Sequence, residues 1–373
     1  MKIGIISLPL NANYGGIMQA FALQKILTLQ GHDVENIEIP HKRMEELKFP
    51  NALVVYTKRF IKKCLGKWNK PIKLEQYVNT YEEPVCLKYT NQFINRYIKV
   101  RTIRSFSEIS PNDYSVIIVG SDQIWRPLYF NDITKAFLSF AKKWDIYRMS
   151  YAASFGVNNW EYNKEQTKEC SELLKLFNRI TVREKSGIEL CKKHLSICDI
   201  YHVLDPTMLL DKSYYEDLLS YANVKDHPGN IFIYILDLNR EKKILIDEIV
   251  KDRDGMPFEV GAKYSDINSP LNERIQPPVE EWLKGFVDAK FIITDSFHAC
   301  VFSIIFQKPF VVISNKERGN DRFISLLQDF HLSDRLITNI FDFKRIKEPN
   351  ILNDEVYSLL FEKKSMSLKF LSF

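Results

Sequence analysis

The feature that most constrains this chain is a recurrent alternation. Short strand-like runs, most of them nearly all apolar, are separated by stretches with helical spacing. They begin with KIGIIS (2–7) and DVENIEI (33–39), and continue with YSVIIVGSD (114–122), YRMSYAAS (147–154), RITV (179–182) and YHVLDPTML (201–209). NIFIYIL (230–236), PFEVG (257–261), KFIITD (290–295) and PFVVIS (309–314) complete the set. Strands apolar on both faces and joined by helices belong in parallel sheets covered on both sides. With 373 residues the chain exceeds one ordinary core. The expectation is therefore α/β: two Rossmann-like doubly wound domains facing a cleft. The first spans 1–205 and the second 206–345, joined near Asp205–Leu210, where Pro206 bars a simple helical continuation of the strand. A helical tail, 346–373, packs back on the first domain in this reading.

Composition excludes several alternatives. Hydrophobic residues make up 45% and charged residues 27%, as in soluble globular proteins. No apolar run approaches the roughly 20 residues of a membrane span. The start, MKIGIISLPL, has no signal-peptide pattern, so a cytoplasmic location is expected. The six cysteines lack C-x-x-C or zinc spacing and read as reduced thiols. A net charge of +5 is too mild to imply nucleic acid. It is unevenly spread, however: an insertion at about 41–104 is basic and helical, and the remainder of the chain is slightly acidic. Within the insertion, residues 52–70 place Leu53, Phe60, Ile61, Cys64, Leu65 and Trp68 on one helical face. Lys58, Arg59, Lys62, Lys63 and Lys67 fall on the other. Such a helix either buries its apolar face on its own domain or lies on an anionic membrane.

No G-x-G-x-x-G, P-loop or H-E-x-x-H occurs. Ligands of doubly wound folds bind where strands run into helices, and four such corners carry polar or glycine-rich sequence. In NANYGGIMQAFAL (11–23), Gly15 and Gly16 either make a plain turn or bring an anion to a helix start. In VGSDQIWRP (119–127), Gly120, Ser121, Asp122, Gln123, Trp125 and Arg126 suit a sugar's hydroxyl face, although Ser121 or Asp122 also suits a helix cap. In TVREKSG (181–187), Arg183 grips a ligand's carboxylate or phosphate, or a structural carboxylate, while Glu184 and Lys185 read as solvated first-turn residues. In ITDSFHACVFSII (292–304), Asp295 or Ser296 caps a helix and leaves His298 in its first turn, either buried in the core or working. Downstream, Lys316, Arg318 and Arg322 add cations near the same sheet edge, which together suit a small, highly charged anion.

Taken in order, NYGGIMQAFAL, VGSDQIW, SYAASFG, VREKSG, VLDPTMLL, TDSFHACVFSIIFQKPF and RGNDRF resemble the polysaccharide pyruvyl transferase family, over residues 1 to about 340. The resemblance implies a GT-B-like fold. It also implies transfer of pyruvate from phosphoenolpyruvate to two hydroxyls of a sugar, forming a ketal on a capsular, exopolysaccharide or cell-wall glycan, with phosphate released. Neither metal nor organic cofactor is implied. By this likeness His298 contacts the donor, Arg183 matches an arginine after a strand, and Arg318 falls where a basic residue is expected. Many members have Arg-Leu-His where this chain has Ser296-Phe297-His298, so one cation is missing, and Arg126 or Arg322 is the candidate replacement. His298 is expected to bind the donor phosphate and supply a proton, with Asp122 as base or acceptor ligand, Asp295 second, and Asn13 and Tyr14 in the cleft. Replacing His298 or Arg183 with Ala is expected to abolish transfer and spare the fold. The acceptor is a sugar or lipid-linked saccharide, which would place the enzyme at the inner membrane face. The alternatives at this point are a nucleotide-sugar glycosyltransferase of the same architecture and a non-catalytic glycan-binding protein.

Overall fold

A computed structural model describes residues 1–39, 51–66, 75–130, 132–220, 222, 224–315, 319–346 and 354–373. The first sheet contains β1 (Lys2–Ile6), β2 (Asp33–Glu38), β3 (Val100–Thr102), β4 (Val116–Val119), β5 (Tyr147–Ala153), β6 (Arg179–Val182) and β7 (Tyr201–His202). Its order is β3-β2-β1-β4-β5-β6-β7, and every pairing is parallel. The second sheet contains β8 (Ile231–Tyr234), β9 (Pro257–Glu259), β10 (Phe291–Thr294), β11 (Phe310–Ile313) and β12 (Leu336–Ile337). Its order is β12-β11-β10-β8-β9, again all parallel. This is the doubly wound, GT-B-like class that the sequence predicts. The alternation missed only short outer strands: β3, with three residues and one strand neighbour, and β12, with two.

Each sheet reverses its winding once. In the first, β1 pairs β2 on one side and β4 on the other; in the second, β8 pairs β9 and β10. Such switch points leave a crevice at the carboxyl ends of the strands, where ligands bind. The end of β7 differs from expectation. Pro206 opens a single helical turn, Pro206–Leu209, with Asp205 accepting a bond from the Thr207 N–H. A proline at the first helical position gives up an N–H that would have no helical partner, so it begins this turn where it was expected to bar one.

The halves meet over aromatic packing. α1 (Tyr14–Leu29) is buried along most of its length. The Tyr14 ring stacks on Trp282 at 5.4 Å, and its hydroxyl donates to the Pro277 carbonyl at 2.7 Å. Trp282 in turn packs against Phe286 and Phe302. Part of the insertion also bridges the halves: Arg274 pairs with Glu82, Tyr264 donates to Glu83, and the Gln276 N–H donates to the Cys86 carbonyl. The C-terminal helix Asp354–Leu368 lies beside the Asp205 turn, where Ser367 Oγ accepts from the Leu204 N–H at 3.0 Å.

Candidate functional site

Both winding reversals open onto one crevice. Asn13 ends the loop after β1, and Asp122 and Gln123 follow β4. Leu236 follows β8, and Asp295 to His298 follow β10. These residues line the crevice together with Arg322 of the helix Asp321–Asp329. Residues drawn from distant parts of the sequence thus meet because parallel strands all end on the same sheet edge.

Arg183, one residue past β6, forms the hub beneath this crevice. Its guanidinium donates to Asp205 at 2.9 Å and to Asp122 at 3.1 Å, with all three side chains buried. Asp205 also accepts from Ser121 Oγ at 3.2 Å and from the Thr207 hydroxyl at 2.7 Å. Burial alone would raise the Asp205 carboxyl, but neighbouring His298 and Arg183 hold it well below the usual range. Asp122 is held low in the same way, burial being outweighed by Arg183, His298 and Arg322. Its backbone is left-handed, φ 68°, a sparsely populated region that aspartate tolerates better than most residues. In that conformation its carbonyl accepts from both the Ile124 and Ser154 N–H groups. Strain of this kind is concentrated at functional sites.

Phe297 answers the missing-cation question. The Arg183 guanidinium lies 4.4 Å from its ring centroid and the Arg322 guanidinium 5.6 Å, both within cation–π range. The ring therefore positions two cations beside the crevice. Burial and the Arg183 charge push the Arg322 guanidinium down to about 10. An anion bound between these groups would relieve that repulsion.

Ser296 caps the helix Phe297–Ile305, accepting from the Ala299 N–H, and places His298 in the first turn. The imidazole Nε2 lies 3.6 Å from Asp205 Oδ2, too long for a hydrogen bond, and has no hydrogen-bond partner among the described residues. Its ring lies against α1 at Gly15, where an added Cβ would sit 2.1 Å from Nδ1. Gly15 is thus required for close approach and Gly16 is not, its virtual Cβ reaching only Asn13 at 3.2 Å.

Several expected site residues have other places. Asp295 is fully engaged: it accepts from Lys242 Nζ at 2.5 Å, from the Leu236 and Asp237 N–H groups, and from Asn315 Nδ2. It braces the loop after β8, with Oδ2 accepting three of these bonds and Oδ1 one. Arg126 is held by both oxygens of Glu161, at 3.1 and 3.2 Å, and by Gln123 Oε1, so Arg322 is the cation that reaches the crevice. Trp125 is buried in the core against Phe137, its indole N–H donating to the Ala136 carbonyl, and is not a sugar platform. Tyr14 and Ser121 are likewise wholly buried. Lys316 and Arg318 lie outside the described residues.

Glu184 corrects the sequence reading. It is buried, not solvated, and accepts from Ser154 Oγ and the Phe155 and Gly156 N–H groups. Burial pushes its carboxyl up from the ordinary range. Sequence reasoning also assigned no site role to Asp205 or Phe297. The available signal for Asp205 is an Asp-Pro placed just past a strand, the same kind of corner as the four polar or glycine-rich ones. Among the described residues no group of His, Cys, Asp and Glu is placed to hold a metal ion.

Comparison with known proteins bears on the whole chain. The family model "Polysaccharide pyruvyl transferase" matches residues 13–317. No curated protein matches the sequence. Among solved structures, a sucrose-phosphate synthase from Thermosynechococcus elongatus superposes with a TM-score of 0.50 at 11% identity, covering 99% of this chain and 97% of that one. UDP-N-acetylglucosamine 2-epimerase from Rickettsia bellii gives 0.48 at 8% identity, covering 100% and 96%. The likeness to the synthase is one of fold alone.

Proposed function

The chain belongs to the polysaccharide pyruvyl transferase family, and on that premise we propose that it transfers pyruvate from phosphoenolpyruvate to two hydroxyls of a glycan sugar. The observation that carries this reading is His298 Nε2, buried and without a hydrogen-bond partner among the described residues, in a crevice that Arg322 also lines. Phosphoenolpyruvate brings a carboxylate and a phosphate, and a ligand with two anionic groups requires fixed cations and N–H donors. His298 Nε2 and Arg322 supply them at the crevice, with Arg183 beneath.

In the reaction, the donor C2 gains two C–O bonds to the acceptor and loses its bond to the phosphate oxygen. One acceptor proton goes to the methylene carbon, which becomes a methyl group, and the other leaves with the phosphate. His298 is the group that holds the phosphate and delivers a proton. Asp122, held ionised beside Arg183, orients an acceptor hydroxyl. A cytoplasmic site of action goes with this reading, since the donor is an intracellular metabolite.

The test is phosphate release from phosphoenolpyruvate with galactose-, mannose- and N-acetylhexosamine-containing acceptors. His298→Ala should lower turnover by about 10²–10⁴-fold, the usual range for a proton-transfer group, and Arg322→Gln should raise the KM for the donor. Arg183→Ala is a poor probe, contrary to the sequence-based expectation of an intact fold. It leaves two buried carboxylates unpaired, at a cost of about 3–5 kcal/mol. Near-normal turnover by His298→Ala, or acceptor-dependent release of nucleotide from a sugar nucleotide instead of phosphate, would overturn the proposal.

A further inference from the structure

The basic insertion carries a surface that the crevice chemistry leaves unused. α2 (Asn51–Cys64) ends in a turn at Leu65 and Gly66 and contains no acidic residue. At 100° per residue, Leu53, Phe60, Ile61, Cys64 and Leu65 share one side, with Lys58 and Lys63 flanking it and Lys62 across from it. A surface helix ordinarily turns such a stripe toward its own core. Here Leu53, Phe60 and Leu65 are 60%, 62% and 63% exposed, and Ile61 and Cys64 are exposed as well. The less exposed positions, Val55, Tyr56 and Arg59, fall together on a different side, so the apolar stripe points away from the protein. Later parts of the insertion do dock: Glu82, Glu83 and Cys86 bond to the second half of the chain.

We propose that α2 is an interfacial anchor that lays its Leu53–Phe60–Ile61–Leu65 stripe into an anionic phospholipid surface. Contiguous exposed apolar side chains mark protein or membrane contacts. The charge pattern selects between them, because every charged residue of α2 is a cation, which matches the headgroups of anionic lipid. The proposal does not rest on the pyruvyl-transfer reading, since its measurement involves no substrate.

The test is flotation of the full chain with liposomes of phosphatidylcholine alone and with 30% phosphatidylserine. Binding is expected with the anionic vesicles only, falling as salt is raised. Lys62→Gln/Lys63→Gln should weaken it roughly thirty-fold, about fivefold per charge removed. Phe60→Ser/Leu65→Ser should abolish it while leaving circular dichroism and thermal unfolding unchanged. Failure to float with either vesicle, or equal flotation with both, overturns the proposal. So does a self-associating wild type whose dimer is lost in Phe60→Ser/Leu65→Ser, which would assign the stripe to a second copy.

Discussion

Gly15→Ala is a single-methyl test of whether His298 must sit where the structure puts it. The new Cβ would lie 2.1 Å from Nδ1 and 2.3 Å from Cγ, whereas ordinary contact begins near 3.4 Å. The imidazole must therefore retreat by about 1.3 Å, the 3.4 Å of contact less the 2.1 Å available. Misplacing a reacting group by about 1 Å can cost ~10²-fold in rate. Stability should change far less. Overpacking costs about 1–3 kcal/mol, while Ala improves on Gly within a helix by about 1 kcal/mol at most. The net loss of about 0–2 kcal/mol corresponds to a melting shift of only a few degrees in a chain of this size. The assay pairs acceptor-dependent phosphate release with thermal unfolding. Turnover should fall about 10²-fold with Tm nearly kept, and Gly15→Ala/His298→Ala should be at least as stable as His298→Ala, since its clash is gone. Wild-type turnover by Gly15→Ala would refute the argument, because the ring would then not need its contact with α1.

Two further outcomes follow from the hub. Phe297→Leu removes the ring face from Arg183 and Arg322, contacts worth about 0.5–2 kcal/mol each, and should raise the donor KM about tenfold with little change in kcat. Phe297→Tyr keeps the face and should restore the wild-type KM; equal values for Leu and Phe would remove the ring from the argument. Asp205→Asn should cost about 3–5 kcal/mol at neutral pH by breaking a buried pair. Because the folded Asp205 carboxyl titrates below its ordinary 3.8, its contribution is present above that pH and is lost as pH falls toward the folded value. The gap in urea midpoint between wild type and Asp205→Asn should therefore be constant from pH 7 to about 5 and narrow below 3.8. A gap that is the same at pH 3 and pH 7 would show that the carboxylate charge is not what stabilises.

How far the sequence could be read depended on the range of the interactions involved. Strand composition and helix starts are local, so the alternation placed both sheets and the strand-to-helix corners of the crevice. His298 and Arg183 were reachable because each ends such a corner. What a carboxylate at a corner does is not local. Asp122, Asp205 and Asp295 all follow apolar strands, yet Asp295 is bonded to Lys242, Asn315 and two backbone N–H groups, whereas Asp122 is paired with Arg183. No spacing rule separates them, since their partners come from elements 61 and 53 residues away. Glu184 misled for the same reason: a glutamate opening a helix is usually solvated, and only the fold of 154–156 around it reveals burial. Trp125 and Arg126 followed an expectation about sugar platforms that the packing of Phe137 and Glu161 overrides.

The Ser-Phe-His corner shows why counting cations in a motif is a weak guide to a charged site. A cation's value to an anionic ligand depends on what already holds it. Arg126 is a cation in sequence but is neutralised by a bidentate carboxylate. Arg183 is shared by two carboxylates and contributes chiefly a fixed geometry. A third guanidinium at the buried Ser296 would have to sit beside two others, and burial and like charge already push Arg322 down. An aromatic ring avoids that cost: it attracts both guanidinium groups without adding charge, while Arg322 and His298 line the crevice. The departure from the family's usual triplet is then a change in how the cations are held, and it predicts that introducing the usual residues as Ser296→Arg/Phe297→Leu weakens donor binding. Tighter binding by that variant, read as a lower donor KM, would show that the site lacks a charge after all.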